Sequence, residues 1–482
     1  MTVGWLAAAV AGRIVSGDPD QVVGNIGIDS RSLQVGDFFI ALHGARFDGH
    51  AFVGDAFERG AIGAIVEAGV VNVVTDLENV GGDVKKVGAD LKVGPYKGRA
   101  IVEVGDTTVA LQDLAHAVRE ATETKVIAIT GSAGKTTTKD TIADFLSESY
   151  RVVKNKGNLN NHIGLPLSLL QLRERPDIAV MELGMNHAGE ISTLVAIADP
   201  DVRVWTNVGD AHLGFFESAD AIADAKAEIL ERAEPSDVLV CNADDPLVMA
   251  RAPRFVGRIV SFGEAEGASV RAAAVEDRGL DGMRAKVETR QGETTIDTPL
   301  LGRGNLANVL AATAVALEFG IPLGVLAERA RGLRPSDRRG AVHRLRGGVT
   351  LIDDSYNSSP SALKRALDVV AKEQRAVRKV AVLGEMLELG AFSSQLHRDA
   401  GRAAAAARLD ALFVVGGEPA RELGEAAVAS GMTRATVTYF ELSAPAAAEI
   451  AAAIREGDVV LVKGSRGTRT DLVADRIAEV FG

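Results

Sequence analysis

One short segment limits the folds open to this chain more than any other. The apolar run Lys125-Val-Ile-Ala-Ile-Thr130 passes directly into Gly131-Ser132-Ala133-Gly134-Lys135-Thr136-Thr137-Thr138. A continuous β-branched run of this kind reads as a buried strand, and Gly131–Thr138 reads as a glycine turn opening a helix. The first amides of a helix have no intrahelical acceptor, so such a turn presents N–H groups to an anion. Glycines let the backbone approach phosphate oxygens, Lys135 brings positive charge to the outer phosphates, and the Thr136 hydroxyl suits Mg²⁺. Ile129 stands where the full phosphate-loop pattern has its first glycine, which leaves G-x-x-G-K-T in the right strand–loop–helix context. A plain glycine turn does not need the Lys-Thr pair. The segment therefore predicts a nucleoside triphosphate site built from Gly131, Ser132, Ala133, Gly134, Lys135, Thr136 and Thr137.

The rest of the chain repeats the theme of short apolar strands alternating with longer helical patterns. Strands are expected at 177–183, 202–208, 237–241 and 258–262, then at 348–354, 379–384, 411–416, 436–440 and 458–463. Helices are expected at 135–149, 305–319 and 361–372, and a first amphipathic helix at 5–10. Many strands are apolar throughout, as strands covered by helices on both faces are. The fold class is α/β with mainly parallel sheets. At ~150 residues per domain the length suggests three domains. Breaks before Lys125 and in the Arg-, Gly- and Pro-rich stretch 331–348 give boundaries at 1–121, 122–336 and 337–482. Within the first, 72–98 is poorly periodic and reads as an insertion or long loop.

Phosphate binding alone does not distinguish a transporter ATPase, a kinase, a GTPase and a ligase. Polar clusters at successive strand ends narrow the choice, because ligands of parallel sheets sit beyond the carboxyl ends of the strands. Glu182 ends one strand, in Met181-Glu182-Leu-Gly-Met-Asn186-His187; a carboxylate near triphosphate calls for Mg²⁺, the bland reading being an exposed acid. His212 comes after the next, in Thr206-Asn207-Val208-Gly209-Asp210-Ala211-His212. Asn155-Lys-Gly-Asn158-Leu-Asn-Asn161 offers amides to a polar ligand or, equally, turn chemistry. Asn305 and Asn308 share a helix face and could address an adenine edge, or Asn305 could simply cap the helix. Lys226 reads most simply as a solvated helical lysine paired with an acid. Asp353-Asp354-Ser355-Tyr356-Asn357 and Lys463-Gly464-Ser465-Arg466-Gly467 close two later strands. The arginines between 329 and 346 lack the aromatics of a nucleic-acid surface and read as a linker with one or two phosphate-reaching members.

Composition removes other classes. Lys and Arg number 53 against 65 Asp and Glu, a net charge of −12 that disfavours nucleic acid and anionic membranes. A single cysteine, Cys241, excludes an intrachain disulfide framework. No stretch reaches the ~18–20 apolar residues of a membrane span. The apolar start has no preceding Lys or Arg and no cleavage-like site, so a cytoplasmic protein is expected.

Taken in order, these motifs resemble the Mur ligase family of cell-wall enzymes over nearly the whole chain. The marks are Asp29-Ser30-Arg31, Gly36-Asp37-Phe38-Phe39, Asp48-Gly49-His50, the phosphate loop, 158–166, 182–190, 207–212, 353–357, Gly384-Glu-Met-Leu-Glu-Leu-Gly390 and 463–467. Gly157-Asn-Leu-Asn-Asn and Met185-Asn-His-Ala-Gly favour the F-type branch, which adds D-alanyl-D-alanine to UDP-N-acetylmuramoyl-tripeptide. The resemblance implies a UDP-substrate domain, a central ATP-binding domain and a C-terminal Rossmann-like domain. It implies a carboxylate phosphorylated by ATP and then attacked by an amine, giving amide, ADP and phosphate. Lys135 and Thr136 would hold phosphates and a first Mg²⁺, with Glu182 also near metal. His212 and Lys226 would serve a second Mg²⁺, Lys226 as a carbamate formed with CO₂. Asn305 would face adenine, and Arg339 and Asp354 would reach ATP from across a domain boundary. Ser30 and Arg31 would contact the UDP part, and Asn158, Asn186 and His187 the peptide side. Small-molecule substrates and a monomer are expected, with no nucleic-acid or membrane partner. A sister ligase with another amine, including the folylpolyglutamate type, and a regulatory ATPase are the alternatives. Two positions depart from the family pattern: Gly304 stands where His is frequent, and Ser359 where Asn is expected. An adenine-side contact is therefore expected to be lost or replaced.

Overall fold

The computed structural model describes residues 1–44, 47–69, 71–72, 91–92, 98–210 and 213–482; of Val71, Asn72, Leu91, Lys92 and Leu213 it describes the backbone only. Most of the expected 72–98 insertion lies outside these residues; its ends form the short parallel pair Val71–Asn72 and Leu91–Lys92. His212 also lies outside them. The described residues pack as two compact units, one of Met1–Val126, Asn155–Met181 and Thr193–Asp199, the other of Ile127–Lys154, Glu182–Ser192 and Pro200–Gly482.

The first unit holds a five-stranded sheet in the order Arg13–Ser16, Ala100–Val104, Gly63–Glu67, Phe38–Ile40, Ile26–Gly27. Only the edge pair of Arg13–Ser16 with Ala100–Val104 is antiparallel. Phe39, Val53, Phe57, Val66 and Ile101 form the core on one face. The Asp48-Gly49-His50 signature is structural in part. His50 is buried, its Nδ1 lies 2.6 Å from Asp48, and its Nε2 accepts the Glu67 amide at 2.9 Å. The expected first helix is Val3–Ala9, capped by the Thr2 hydroxyl.

In the second unit the strands Val270–Asp277, Arg258–Gly263, Val238–Asn242, Val202–Trp205 and, from Ile127 on, Lys125–Thr130 lie side by side in parallel. An antiparallel extension, Met283–Thr289 and Gly292–Thr298, continues beyond Val270–Asp277. These last strands, exposed on one face, alternate polar and apolar residues and do not stand out in the sequence as the apolar runs do. Cys241 is buried in Val238–Asn242, and burial pushes its thiol up to about 12.

A second sheet in this unit runs Ala341–Arg344, Thr350–Asp354, Asp458–Lys463, Arg378–Gly384, Ala411–Val415, Val437–Phe440, antiparallel only at its first edge. Helices Pro360–Lys372, Ser393–Ala406 and Glu418–Ala429 cover one face, and Ser443–Ala453 and Asp471–Phe481 the other. Leu280, from the turn between the antiparallel strands of the first sheet, is buried in the core under Pro360–Lys372 with Leu363, Leu367 and Val370. Ion pairs of Lys372 with Asp277 (2.6 Å) and Arg375 with Asp281 (2.8 Å) flank it. The arginine-rich stretch is less of a linker than its composition suggests. Arg329 lies in helix Leu323–Gly332 and pairs with Asp144 and Glu148, while Arg338 is tied to Asp475.

Candidate nucleotide and metal site

Parallel register brings the phosphate loop to its support. Val202 pairs with Ile127 and Trp205 with Thr130, so the two strands end side by side and Gly131 adjoins Thr206. A Cβ on Gly131 would stand 1.9 Å from Thr206 Oγ1, which only glycine avoids. Asn207 then grips the loop. Its carbonyl accepts from the Ser132 amide at 3.0 Å, its Oδ1 from the Ala133 amide at 2.9 Å, and its Nδ2 donates to the Ala133 carbonyl at 3.0 Å. Thr206 Oγ1 donates to the same carbonyl at 2.8 Å, and Ser132 Oγ accepts from the Gly209 amide at 2.8 Å. The Ser132 and Ala133 amides are thus engaged within the protein. Among the described residues, the first amides of helix Lys135–Leu146, at Lys135, Thr136 and Thr137, are open to an anion. Lys135 Nζ rests on the Gly131 carbonyl at 2.8 Å. Burial pushes its ammonium below the ordinary lysine value, with Glu182 opposing and Arg339 reinforcing the shift.

Glu182 is buried rather than an exposed acid. Thr136 Oγ1 donates to its Oε2 at 2.7 Å, and Lys139 Nζ lies 3.8 Å from the same atom. Lys139, a residue outside the loop motif, is itself buried one helical turn after Lys135; the four-residue spacing is the only sign of it in the sequence. Lys226 corrects the bland reading most sharply. It sits in helix Ala219–Ala227, 2% exposed, and makes no hydrogen bond or ion pair among the described residues. Burial, with Lys135 adding to it, pushes the amine well below the ordinary lysine value. Two hard oxygens (Glu182 and Thr136) and the buried Lys226 amine make a donor set that fits Mg²⁺ if the amine becomes an anionic ligand.

Asn305 does not cap its helix. Helix Gly302–Glu318 is capped at Leu301, and Asn305 Nδ2 donates to the Leu301 carbonyl at 2.9 Å. Asn308 Nδ2 donates to Asn305 Oδ1 at 3.1 Å, and Asn308 Oδ1 accepts from Thr138 Oγ1 at 3.2 Å. The asparagine pair is therefore locked to the phosphate-loop helix. Arg339 stacks over Tyr356, 4.0 Å from its centroid, with Arg466 at 5.8 Å. Asp354 accepts from Lys463 Nζ at 2.7 Å, their strands being paired in register at those residues.

Helix Pro360–Lys372 lays one stripe along this region. A Cβ on Gly209 would lie 3.6 Å from Ser361 Oγ, one on Gly304 would lie 3.4 Å from Arg365 Cδ and Nε, and one on Gly302 would lie 3.5 Å from Val369 Cγ2. The space beside Gly304 is thus filled by Arg365, a residue that carries no signal in the sequence. Ser359 caps the same helix without a side-chain bond.

Asn186 and His187 are exposed; their amides donate to Glu190, and the His187 ring lies 5.1 Å from Phe215. Asn158 is exposed in the first unit, where Asn155 and Asn161 serve turn chemistry. Ser30 is buried there and Arg31 is exposed, paired with Asp29 at 2.7 Å.

Three α/β sheets, one with a phosphate loop at its strand ends, make the framework of a nucleotide-using enzyme. The profiles described as Mur ligase family, catalytic domain, Mur ligase middle domain, and Mur ligase, glutamate ligase domain match residues 22–119, 129–316 and 338–466. The chain belongs to the Mur ligase family.

The relatives are more particular. It is 32% identical to the UDP-N-acetylmuramoyl-tripeptide–D-alanyl-D-alanine ligase of Bacillus subtilis, over 99% of this chain and 98% of that one. It is 34% identical to the enzyme of the same name from Synechocystis, over 94% and 92%. Among solved structures, MurF from Acinetobacter baumannii matches with a TM-score of 0.84 and 31% identity over 99% of this chain and 98% of that one. MurF ligase from Thermotoga maritima in complex with ADP matches with a TM-score of 0.78 and 29% identity over 95% and 98%. No helix among the described residues is long and apolar enough to cross a membrane.

Proposed function

We propose that this chain is an ATP-dependent, ADP-forming ligase that joins D-alanyl-D-alanine to UDP-N-acetylmuramoyl-tripeptide in peptidoglycan precursor synthesis. The observation that carries the reading is the grouping, within one compact unit, of the phosphate-loop helix start, Lys135, Glu182 and a buried Lys226 that has no hydrogen-bond or ion-pair partner among the described residues. The chain divides for this purpose into a UDP-substrate domain (1–121), an ATP domain (122–336) and a closing C-terminal domain (337–482). It works as a monomer in the cytoplasm.

The tripeptide carboxylate attacks the γ-phosphorus of ATP, the bond to the β-phosphate oxygen breaks, and ADP leaves. The D-alanyl-D-alanine amine then attacks the acyl phosphate, losing a proton and expelling phosphate. No nucleophilic side chain is needed, so the protein binds, orients and offsets charge. The amides of Lys135, Thr136 and Thr137 and the Lys135 ammonium hold the outer phosphates, and Arg339, fixed on Tyr356, balances them from the other side. Asn305 faces adenine, and Asp354, held by Lys463, reaches the nucleotide. Thr136, Glu182, His212 and Lys226 would hold two Mg²⁺ ions, whose charge would offset that accumulating on the phosphoryl oxygens. Lys226 serves as a carbamate. Burial and the neighbouring Lys135 disfavour the protonated amine, and the free amine would add to CO₂ and release a proton, turning a repelled cation into an oxygen ligand. Ser30 and Arg31 serve the UDP portion of the substrate, and Asn158, Asn186 and His187 are the candidates for its peptide.

The test is ADP and phosphate release with each substrate omitted in turn. Formation requiring both tripeptide precursor and D-alanyl-D-alanine is expected. ADP formation that depends on a diamino acid or glutamate would assign the chain to a sister activity, and none with any amine would sink ligase chemistry.

A further inference from the structure

Helix Pro360–Lys372 turns one face toward the candidate site through positions spaced by four residues. Its ends are anchored: Ser361 lies against Gly209, which supports the phosphate loop through Ser132, and Val369 lies against Gly302, where the asparagine helix begins. Arg365 stands between those anchors. Its Cδ and Nε pack on Gly304, the residue immediately before Asn305, and glycine there leaves room for the side chain to lie flat across the helix start. Among the described residues its guanidinium makes no hydrogen bond or ion pair. Asp210 and Asp354 face it, close enough to favour its charge. More than a third of the side chain stays accessible, yet surrounding protein depresses its basicity.

Asn305 has limited capacity to hold a base alone. Its Nδ2 already serves the Leu301 carbonyl and its Oδ1 already accepts from Asn308. A base held at Asn305 would lie one residue along the helix from the glycine beside which Arg365 packs. We propose that Arg365 forms one wall of the nucleobase slot, its guanidinium plane packing on the purine ring of ATP. The planar, delocalised guanidinium is suited to an aromatic face in a way an ammonium is not. Arg365 is therefore a specificity-determining residue for the base, separate from the groups that handle the phosphates. The inference rests on the ATP-ligase reading.

The experiment measures KM for ATP and CTP in the two-substrate ligase assay, and Kd for ADP and CDP by titration, in wild type, Arg365→Ala and Arg365→Lys. Loss of the plane should raise KM for ATP and Kd for ADP by about tenfold. Values for the single-ring cytidine nucleotides should move by no more than about twofold, with kcat held within about twofold. Arg365→Lys should behave like Arg365→Ala. Equal weakening of adenine and cytidine nucleotides would overturn the proposal, because it would put the guanidinium on phosphate or ribose. Unchanged constants, or full rescue by lysine, would overturn it as well. If wild type forms no ADP with either substrate pair, the ligase reading fails, and the ADP and CDP titrations still decide the role of Arg365.

Discussion

Lys226 concentrates the physical argument at the scale of single residues. An amine that is 2% exposed, beside Lys135 and without an ion-pair partner among the described residues, is poorly served by holding a proton. Its folded-state affinity for protons is lowered, so below the ordinary value of 10.5 the unfolded chain binds the proton that the folded chain refuses. Stability contributed at this position therefore rises with pH and is lowest on the acid side. Function and stability separate as a result. Lys226→Met should melt at a higher temperature at pH 7, since an apolar group of similar length suits the site better. The same variant should lose more than ~100-fold in ligation, as removal of a metal ligand would dictate. Isotopically labelled bicarbonate should give a carbamate resonance in wild type that is missing in Lys226→Met. A variant that keeps its activity would refute the role given to this lysine. Sequence alone could not reveal it, because Ala-Asp-Ala-Lys-Ala-Glu is what a solvated helix looks like. Burial there is decided by elements far away in the chain. Glu182 was easier, because an acid ending an apolar strand is placed by the sheet itself.

At the scale of elements, the phosphate-loop helix and the asparagine helix are fastened through one glycine. Gly134 caps helix Lys135–Leu146 at φ +84°, and a Cβ there would stand 2.2 Å from Asn308 Oδ1. Gly267 has the same φ of +84° with nothing within 4 Å of its would-be Cβ. The pair separates backbone strain from steric collision. Gly267→Ala should cost about 1 kcal/mol in urea unfolding. Gly134→Ala should cost about 3 kcal/mol and also raise KM for ATP, because Asn308 and the loop must move apart. Equal losses at the two positions would mean that the asparagine contact carries no weight. Strand ends, the loop and the parallel order were legible because apolar runs and glycine spacing are local signals. The strands Val270–Asp277, Met283–Thr289 and Gly292–Thr298 were not. Their pairing is set by partners across the sheet, and one solvated face dilutes their apolar pattern. Arg365 was hidden for a similar reason, since nothing near it in the chain announces Gly304.

For the molecule as a whole, charge pairing sets the response to acid. Glu373 is nearly buried and receives the Arg375 guanidinium and amide, which together outweigh the opposing effect of burial and bring its carboxyl from 4.5 down to about 2. Stability from this pair is fully present above the unfolded value of 4.5 and is lost as the pH falls toward 2. Glu373→Gln should reduce unfolding free energy by about 1–2 kcal/mol at neutral pH, the exposed arginine limiting the figure. The difference from wild type should vanish near pH 2. A gap that stays constant with pH would show that packing, not charge, sustains the pair.

Leu280 has a consequence for anyone dissecting the protein. The sheet that begins at Ala341 finishes its interior with a side chain supplied from well upstream in the chain, clasped by Asp277 and Asp281 on either side. A fragment cut at the family-profile boundary would expose an apolar socket with no plug, and stickiness between copies is the natural outcome.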